Sequence, residues 1–190
     1  MSHPRGNGRP AAFAGSSKRG TLVAGLLVLA ASLVTGGAAL ALEAGDRAKD
    51  FEAPRLDGSG TISLTSYRGK VVYLDFWASW CNPCQTALPL IDALRKDFPE
   101  KDFQVVAVNV DKDTKKAKKF LAKNPVGYAS ASDPRGKLPR EFGLETMPTS
   151  YLIDRAGVIR YVHKGFREDD IASIRAEIQK LVGARPAALR

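Results

Sequence analysis

Cys81 and Cys84, in the run Trp77-Ala78-Ser79-Trp80-Cys81-Asn82-Pro83-Cys84, are the only cysteines among 190 residues. Two thiols separated by two residues can close a structural disulfide, supply half of a metal site, or cycle as a redox dithiol. Closing so small a loop removes little entropy from the unfolded chain, and a chain that is 44% hydrophobic at this length builds a core without a staple. A zinc site needs four ligands, whereas beyond residue 42 the chain offers these two cysteines and a single histidine, His163. Beside Tyr161 and Lys164, His163 reads as a surface or strand-packing residue. Copper(I) accepts two thiolates, so a copper-handling module stays open beside the redox catalyst.

The pair must be held by what flanks it. Val71-Val72-Tyr73-Leu74-Asp75-Phe76 is a nearly continuous apolar strand of the kind buried in a central sheet, with one acid, Asp75, inside it. Ala87, Leu88, Ile91, Leu94 and Phe98 then recur at helical spacing, with Pro89 expected to kink that helix. A helix starting near Cys81 places the first sulfur where unpaired N–H groups favour a thiolate, and Pro83 suits the first turn. Upstream, Phe51–Leu56 and Thr61–Leu64 form a hairpin around Asp57-Gly58-Ser59-Gly60. Downstream, the pattern predicts strands at Phe103–Val110, Thr149–Ile153 and Val158–His163. It predicts helices at Thr114–Lys123 and Arg140–Phe142, and a closing helix marked by Ile171, Ile174, Ile178 and Leu181. The order is mixed α/β, a parallel crossover followed by a terminal hairpin and helix.

Residues 1–20 are polar and end in Lys18-Arg19, and Thr21–Leu42 contains no charge, the pattern of an export signal. Ala39-Leu40-Ala41 offers a cleavage site, and the uncharged stretch is also long enough to anchor the chain in a bilayer. Either way the domain lies outside the cytoplasm, in the periplasm or on the outer face of the bacterial inner membrane. The expected organisation is an export signal or N-terminal membrane anchor at 1–41, one domain at 42–182 and a flexible tail at 183–190. The formal net charge of +9 is in part the leader's, and no basic stripe is interleaved with aromatics, so nucleic acid is not expected as a partner. The densest run, Lys115, Lys116, Lys118, Lys119 and Lys123, is a solvated helix face or a docking patch for an acidic partner.

Asp75-Phe76-Trp77-Ala78-Ser79-Trp80-Cys81-Asn82-Pro83-Cys84 resembles the active-site strand and loop of thioredoxins, and the match continues in order. Pro89 stands where thioredoxins carry a proline in the active-site helix, Met147-Pro148-Thr149 resembles their cis-proline loop, and Gly165 the glycine after the last strand. The leader, the N-terminal hairpin and the longer segment Asp111–Glu145 are similar to the TlpA/ResA branch of bacterial thioredoxin-like proteins. The resemblance covers about residues 46–182 and implies an α/β thioredoxin fold with an N-terminal β-hairpin extension and a central insertion. Peroxidase chemistry of the peroxiredoxin type wants a proline seven and a threonine or serine three residues before the reactive cysteine, where this chain has Leu74 and Ala78. Branch members that serve cytochrome c maturation usually carry a glutamate three residues after the second cysteine. Ala87 stands there, so the resemblance implies the general thiol-disulfide activity more than that role.

What the resemblance implies is a mechanism in which Cys81 attacks a client disulfide as thiolate and Cys84 resolves the mixed disulfide. Asp75, buried and raised in pKa by desolvation, would accept the Cys84 proton, a salt bridge with Lys70 or Lys101 being the rival role. Met147 and Pro148 would meet the client backbone, Trp80 would rim the sulfur, and Trp77 would pack in the core. Proline before Cys84 is similar to reducing thioredoxins, so a reductase is expected. No nucleotide loop, flavin motif or second cysteine pair accompanies the dithiol. No cofactor or metal is therefore expected, and electrons would come from a membrane thiol carrier to a monomer acting on exported proteins.

Overall fold

The computed structural model describes residues 41–184. The expected export leader, up to residue 40, and the tail from residue 185 lie outside the described residues. Among those described, no helix is long and apolar enough to cross a membrane.

A five-stranded sheet runs in the order β5-β4-β3-β6-β7. Its centre is β3 (Val71–Trp77), all seven residues of which are buried, as expected of an apolar run covered on both faces. Parallel to it lies β4 (Phe103–Asn109), reached through α1 (Asn82–Arg95); antiparallel to it lies β6 (Thr149–Ile153), which pairs in turn with β7 (Ile159–Lys164). Alternation along β3 divides the core. Val72, Leu74 and Phe76 pack with Phe142 and Tyr151 on one face. Val71 and Tyr73 pack on the other face with Ile91 and Leu94 of α1 and with Ile174 and Ile178 of α4 (Asp170–Gly183). The N-terminal hairpin, β1 (Glu52–Pro54) and β2 (Thr61–Ser63), forms a separate two-stranded sheet, shorter than the sequence predicts.

Three local expectations need correction. The strand β5 (Ala129–Ser132) is absent from the sequence-based expectations, because Ala-Ser-Ala-Ser carries no β-branched or aromatic signal. It is held instead by partners: β4 along one edge, and the hairpin through Leu56 N–H to the Ser130 carbonyl at 2.7 Å. The short helix expected at Arg140–Phe142 is α3 (Lys137–Glu141), started earlier because Asp133 Oδ2 accepts the Leu138 N–H at 2.7 Å. Phe98 lies beyond the end of α1 and packs on Phe103 with ring centroids 5.3 Å apart. The lysine-rich helix α2 (Thr114–Lys123) stands where the spacing predicts it, with Asp113 capping its first turn through the Lys115 N–H.

Candidate active site

The chain leaves β3 at Trp77, crosses Ala78-Ser79-Trp80 and enters α1 with Cys81 as its N-cap. Cys81 Sγ accepts the Cys84 N–H at 3.2 Å, the place a serine or aspartate oxygen takes in an ordinary cap. A sulfur there faces the N–H groups that have no partner within the helix, and negative charge on it is favoured. Cys81 and Cys84 are joined as a disulfide, with Cα atoms 5.2 Å apart. Their environments differ: Cys84 is fully buried, whereas Cys81 keeps 5% of its surface and adjoins Trp80, which is 64% exposed. Trp77 is buried, donates its indole N–H to Ser130 Oγ at 3.0 Å and packs against Phe120, as the core role requires.

Sequence reasoning missed what anchors this loop. Asp111 Oδ2 accepts the Ser79 N–H at 2.8 Å and an Asn109 side-chain N–H at 2.7 Å, while Oδ1 accepts the Ser79 hydroxyl at 2.9 Å. Gln85 completes the clasp by donating its side-chain N–H to the Ser79 carbonyl at 2.6 Å. The available signal was a pair of polar residues, Asn109 and Asp111, ending an otherwise apolar strand.

Asp75 is 1% exposed and shares a sheet row with Ala107 on β4, Ser150 on β6 and His163 on β7. Ala107 packs in the same cluster as Cys84 and Leu88, so Asp75 faces the side of the sheet covered by α1. Its Oδ1 accepts the Ser150 hydroxyl at 2.8 Å, and its Oδ2 is buried with no partner. Burial pushes its pKa up to about 7, with the Ser150 hydrogen bond opposing. Neither Lys70 nor Lys101 pairs with Asp75; the salt-bridge role gives way to Ser150, a partner from β6 that sequence reasoning did not name.

The Met147–Pro148 peptide is cis. Met147 is partly exposed and packs against the cluster that contains both cysteines, and the Pro148 carbonyl accepts the Gly165 N–H at 2.8 Å. Gly165 has φ +84, a conformation that suits glycine at the end of β7. His163 is a packing residue: it is buried, stacks on Tyr161, and its Nε2 lies 3.1 Å from Asp170 Oδ2. Among the described residues, no three His, Cys, Asp or Glu side chains converge to hold a metal ion.

A dithiol at a helix start, a buried acid on the strand below and a proline loop alongside form one constellation, and the family comparison matches all but the end of the fold that carries it. The model of the AhpC/TSA family matches residues 44–162. The chain belongs to the AhpC/TSA family. It is 32% identical over 124 residues to the thiol-disulfide oxidoreductase ResA of Bacillus thuringiensis subsp. konkukian, covering 65% of this chain and 71% of that protein. Over 127 residues it is 33% identical to the thioredoxin-like protein YneN of Bacillus subtilis, covering 65% and 73%. Among solved structures, a thiol:disulfide interchange protein DsbE from Chlorobium tepidum is 44% identical, with a TM-score of 0.72 over 75% of this chain and all of that one. The shared chemistry is thiol-disulfide exchange, and this chain is an oxidoreductase of that class with a thioredoxin-like fold. The two positions by which peroxidase chemistry would be recognised are Leu74 and Ala78, both fully buried.

Proposed function

We propose that this enzyme works outside the cytoplasm and reduces disulfides of exported proteins, with Cys81 as nucleophile and Cys84 as resolving thiol. The observation that carries the assignment is the asymmetry of the pair: Cys81 Sγ caps α1 beside exposed Trp80, and Cys84 is sealed beneath the first turn. The Cys81 thiolate attacks one sulfur of the client disulfide, a Cys81–client bond forms, and the other client sulfur leaves as thiolate. Cys84 then loses its proton to Asp75, directly or through a water, and attacks Cys81 Sγ. The Cys81–Cys84 bond forms, the second client sulfur leaves, and the electron pair has passed to the client. A dithiol donor, for which a membrane thiol carrier is the natural source, restores the enzyme. Trp80 and the Met147-Pro148 loop form the surface on which the client backbone lies.

Trapping tests the assignment. Cys84→Ser removes resolution but keeps the cap, so in an envelope extract it accumulates higher-mass species that collapse with dithiothreitol, while Cys81→Ser accumulates far fewer. Equal trapping by both variants overturns the roles. If the trapped clients are copper-site proteins alone, the dithiol serves copper handling.

A further inference from the structure

Beyond residue 41 the chain carries 25 basic and 20 acidic residues. Residues 112–123 hold six lysines and one aspartate, so the remainder is balanced at 19 against 19, and the whole net charge beyond residue 41 sits on one short segment. Lys112, Lys115, Lys116, Lys118, Lys119 and Lys123 are all exposed, and none pairs with a carboxylate among the described residues, whereas Arg160, His163 and Lys164 on β7 and Arg175 and Lys180 on α4 all do. Asp113 is engaged in capping the helix and is the segment's own acid.

The position of this segment relates it to the redox pair. Asp111, which clasps Ser79 in the loop before Trp80 and Cys81, directly precedes it. The inner side of α2, Ala117, Phe120 and Leu121, packs on the cluster that holds Trp77, Cys81 and Cys84. A ten-residue helix is about 15 Å long, so one partner's footprint can span its lysines together with Cys81 and exposed Trp80. Trp80 is the large hydrophobic side chain left exposed among the described residues, and an aromatic anchor beside a charged rim is how short-lived interfaces combine affinity with rapid encounter.

We propose that the lysine face of α2 docks redox partners that present an acidic protein surface beside the disulfide or dithiol being exchanged. The proposal rests on the exchange chemistry assigned to Cys81. A protein fits better than a lipid surface because the bulky apolar residues of α2 are turned into the core, leaving nothing to enter a bilayer, and because the inner side of the same helix packs on the cluster that holds Cys81 and Cys84. Steering of this kind raises association rates by about 10- to 1,000-fold and weakens with salt.

The test uses the reduced full-length chain and two synthetic peptides, each with one internal disulfide, flanked by four glutamates in one and four glutamines in the other. Each rate of peptide reduction is divided by that of the same peptide with dithiothreitol, which removes differences in intrinsic reactivity. The expected result is reduction of the glutamate peptide about tenfold faster at about 0.01 M salt, with the preference shrinking at about 0.15 M as the Debye length falls from about 30 Å to about 8 Å. Lys115→Gln, Lys116→Gln, Lys118→Gln and Lys119→Gln together abolish the preference and leave the glutamine peptide and neutral hydroxyethyl disulfide unaffected; the four corresponding arginine substitutions keep it. Equal rates for the two peptides, or an undiminished preference in the glutamine variant, overturn the docking surface. So does a variant whose only defect is lost binding to phosphatidylglycerol vesicles, which would make the face a lipid contact. Failure with hydroxyethyl disulfide as well refutes the exchange reading itself, a separate outcome.

Discussion

Replacing Asp75 with asparagine tests the buried acid without disturbing its shape. The carboxyl has an ordinary pKa of 3.8, and burial raises it to about 7 in the fold. Between those values the folded chain holds a proton that the unfolded chain has released, so stability is greatest below about 4 and falls as pH rises toward about 7. A rise of that size corresponds to up to about 4 kcal/mol, and full burial means that solvent does not screen it away. The asparagine side chain reproduces the protonated acid: its oxygen can still accept the Ser150 hydroxyl, and its amide occupies the place where Oδ2 has no partner. Urea unfolding of the oxidised protein should therefore give equal stabilities near pH 4 and a variant more stable by up to about 4 kcal/mol near pH 8, the gap widening by about 1.4 kcal/mol per pH unit. Parallel curves for the two proteins across that range would show that Asp75 does not titrate there, and the reasoning would fail.

Equilibration with glutathione should place the dithiol potential nearer to about −270 mV than to about −120 mV, and a value above about −150 mV would make the enzyme an oxidase. Asp111→Ala removes the acceptor of three donors, the Ser79 N–H, the Ser79 hydroxyl and the Asn109 amide. It should cost about 2–4 kcal/mol in denaturant unfolding and speed hydrogen exchange at the Ser79 amide; unchanged exchange there would disprove the clasp.

What could be read from the sequence divides by whether a residue's meaning is local. The dithiol, the acid in the apolar run of β3 and the Met147-Pro148-Thr149 loop are each conspicuous by residue type in their own neighbourhood; the structure packs Met147 on the cluster of both cysteines and sets Asp75 beside Ala107 of that cluster. Their supports were not legible. Ser150 is an ordinary serine in β6 until the sheet register sets it opposite Asp75, 75 residues away, and Asp111 acquires its role only because β4 ends beside the loop that leaves β3. The strand β5 failed for a related reason, since Ala-Ser-Ala-Ser has no preference strong enough to announce a strand and is made one by its neighbours. His163, by contrast, was legible for a local reason: beside Tyr161 and Lys164 it reads as a surface or strand-packing residue, and its surroundings, Tyr161, Phe166 and Asp170, are those of packing.

In the proposed mechanism the two sulfurs are controlled by different groups, and this separates the two steps of the reaction. Negative charge on Cys81 is favoured by the start of α1, which does not titrate, so the first attack follows the Cys81 thiolate alone. Cys84, fully buried in the first turn, would need an acceptor on the α1 side of the sheet, where Asp75 is the carboxylate whose Oδ2 is without a partner. An acid accepts a proton only when ionised, so release of the mixed disulfide should rise about tenfold per pH unit below about 7 and level off above it. In Asp75→Asn that dependence should vanish and release should be slower by about 100- to 10,000-fold, with the first step nearly unchanged. Stopped-flow with a fluorescent disulfide peptide resolves the two phases. If the substitution slows the first phase and spares the second, Asp75 acts on Cys81 and the division of labour between helix and acid is wrong.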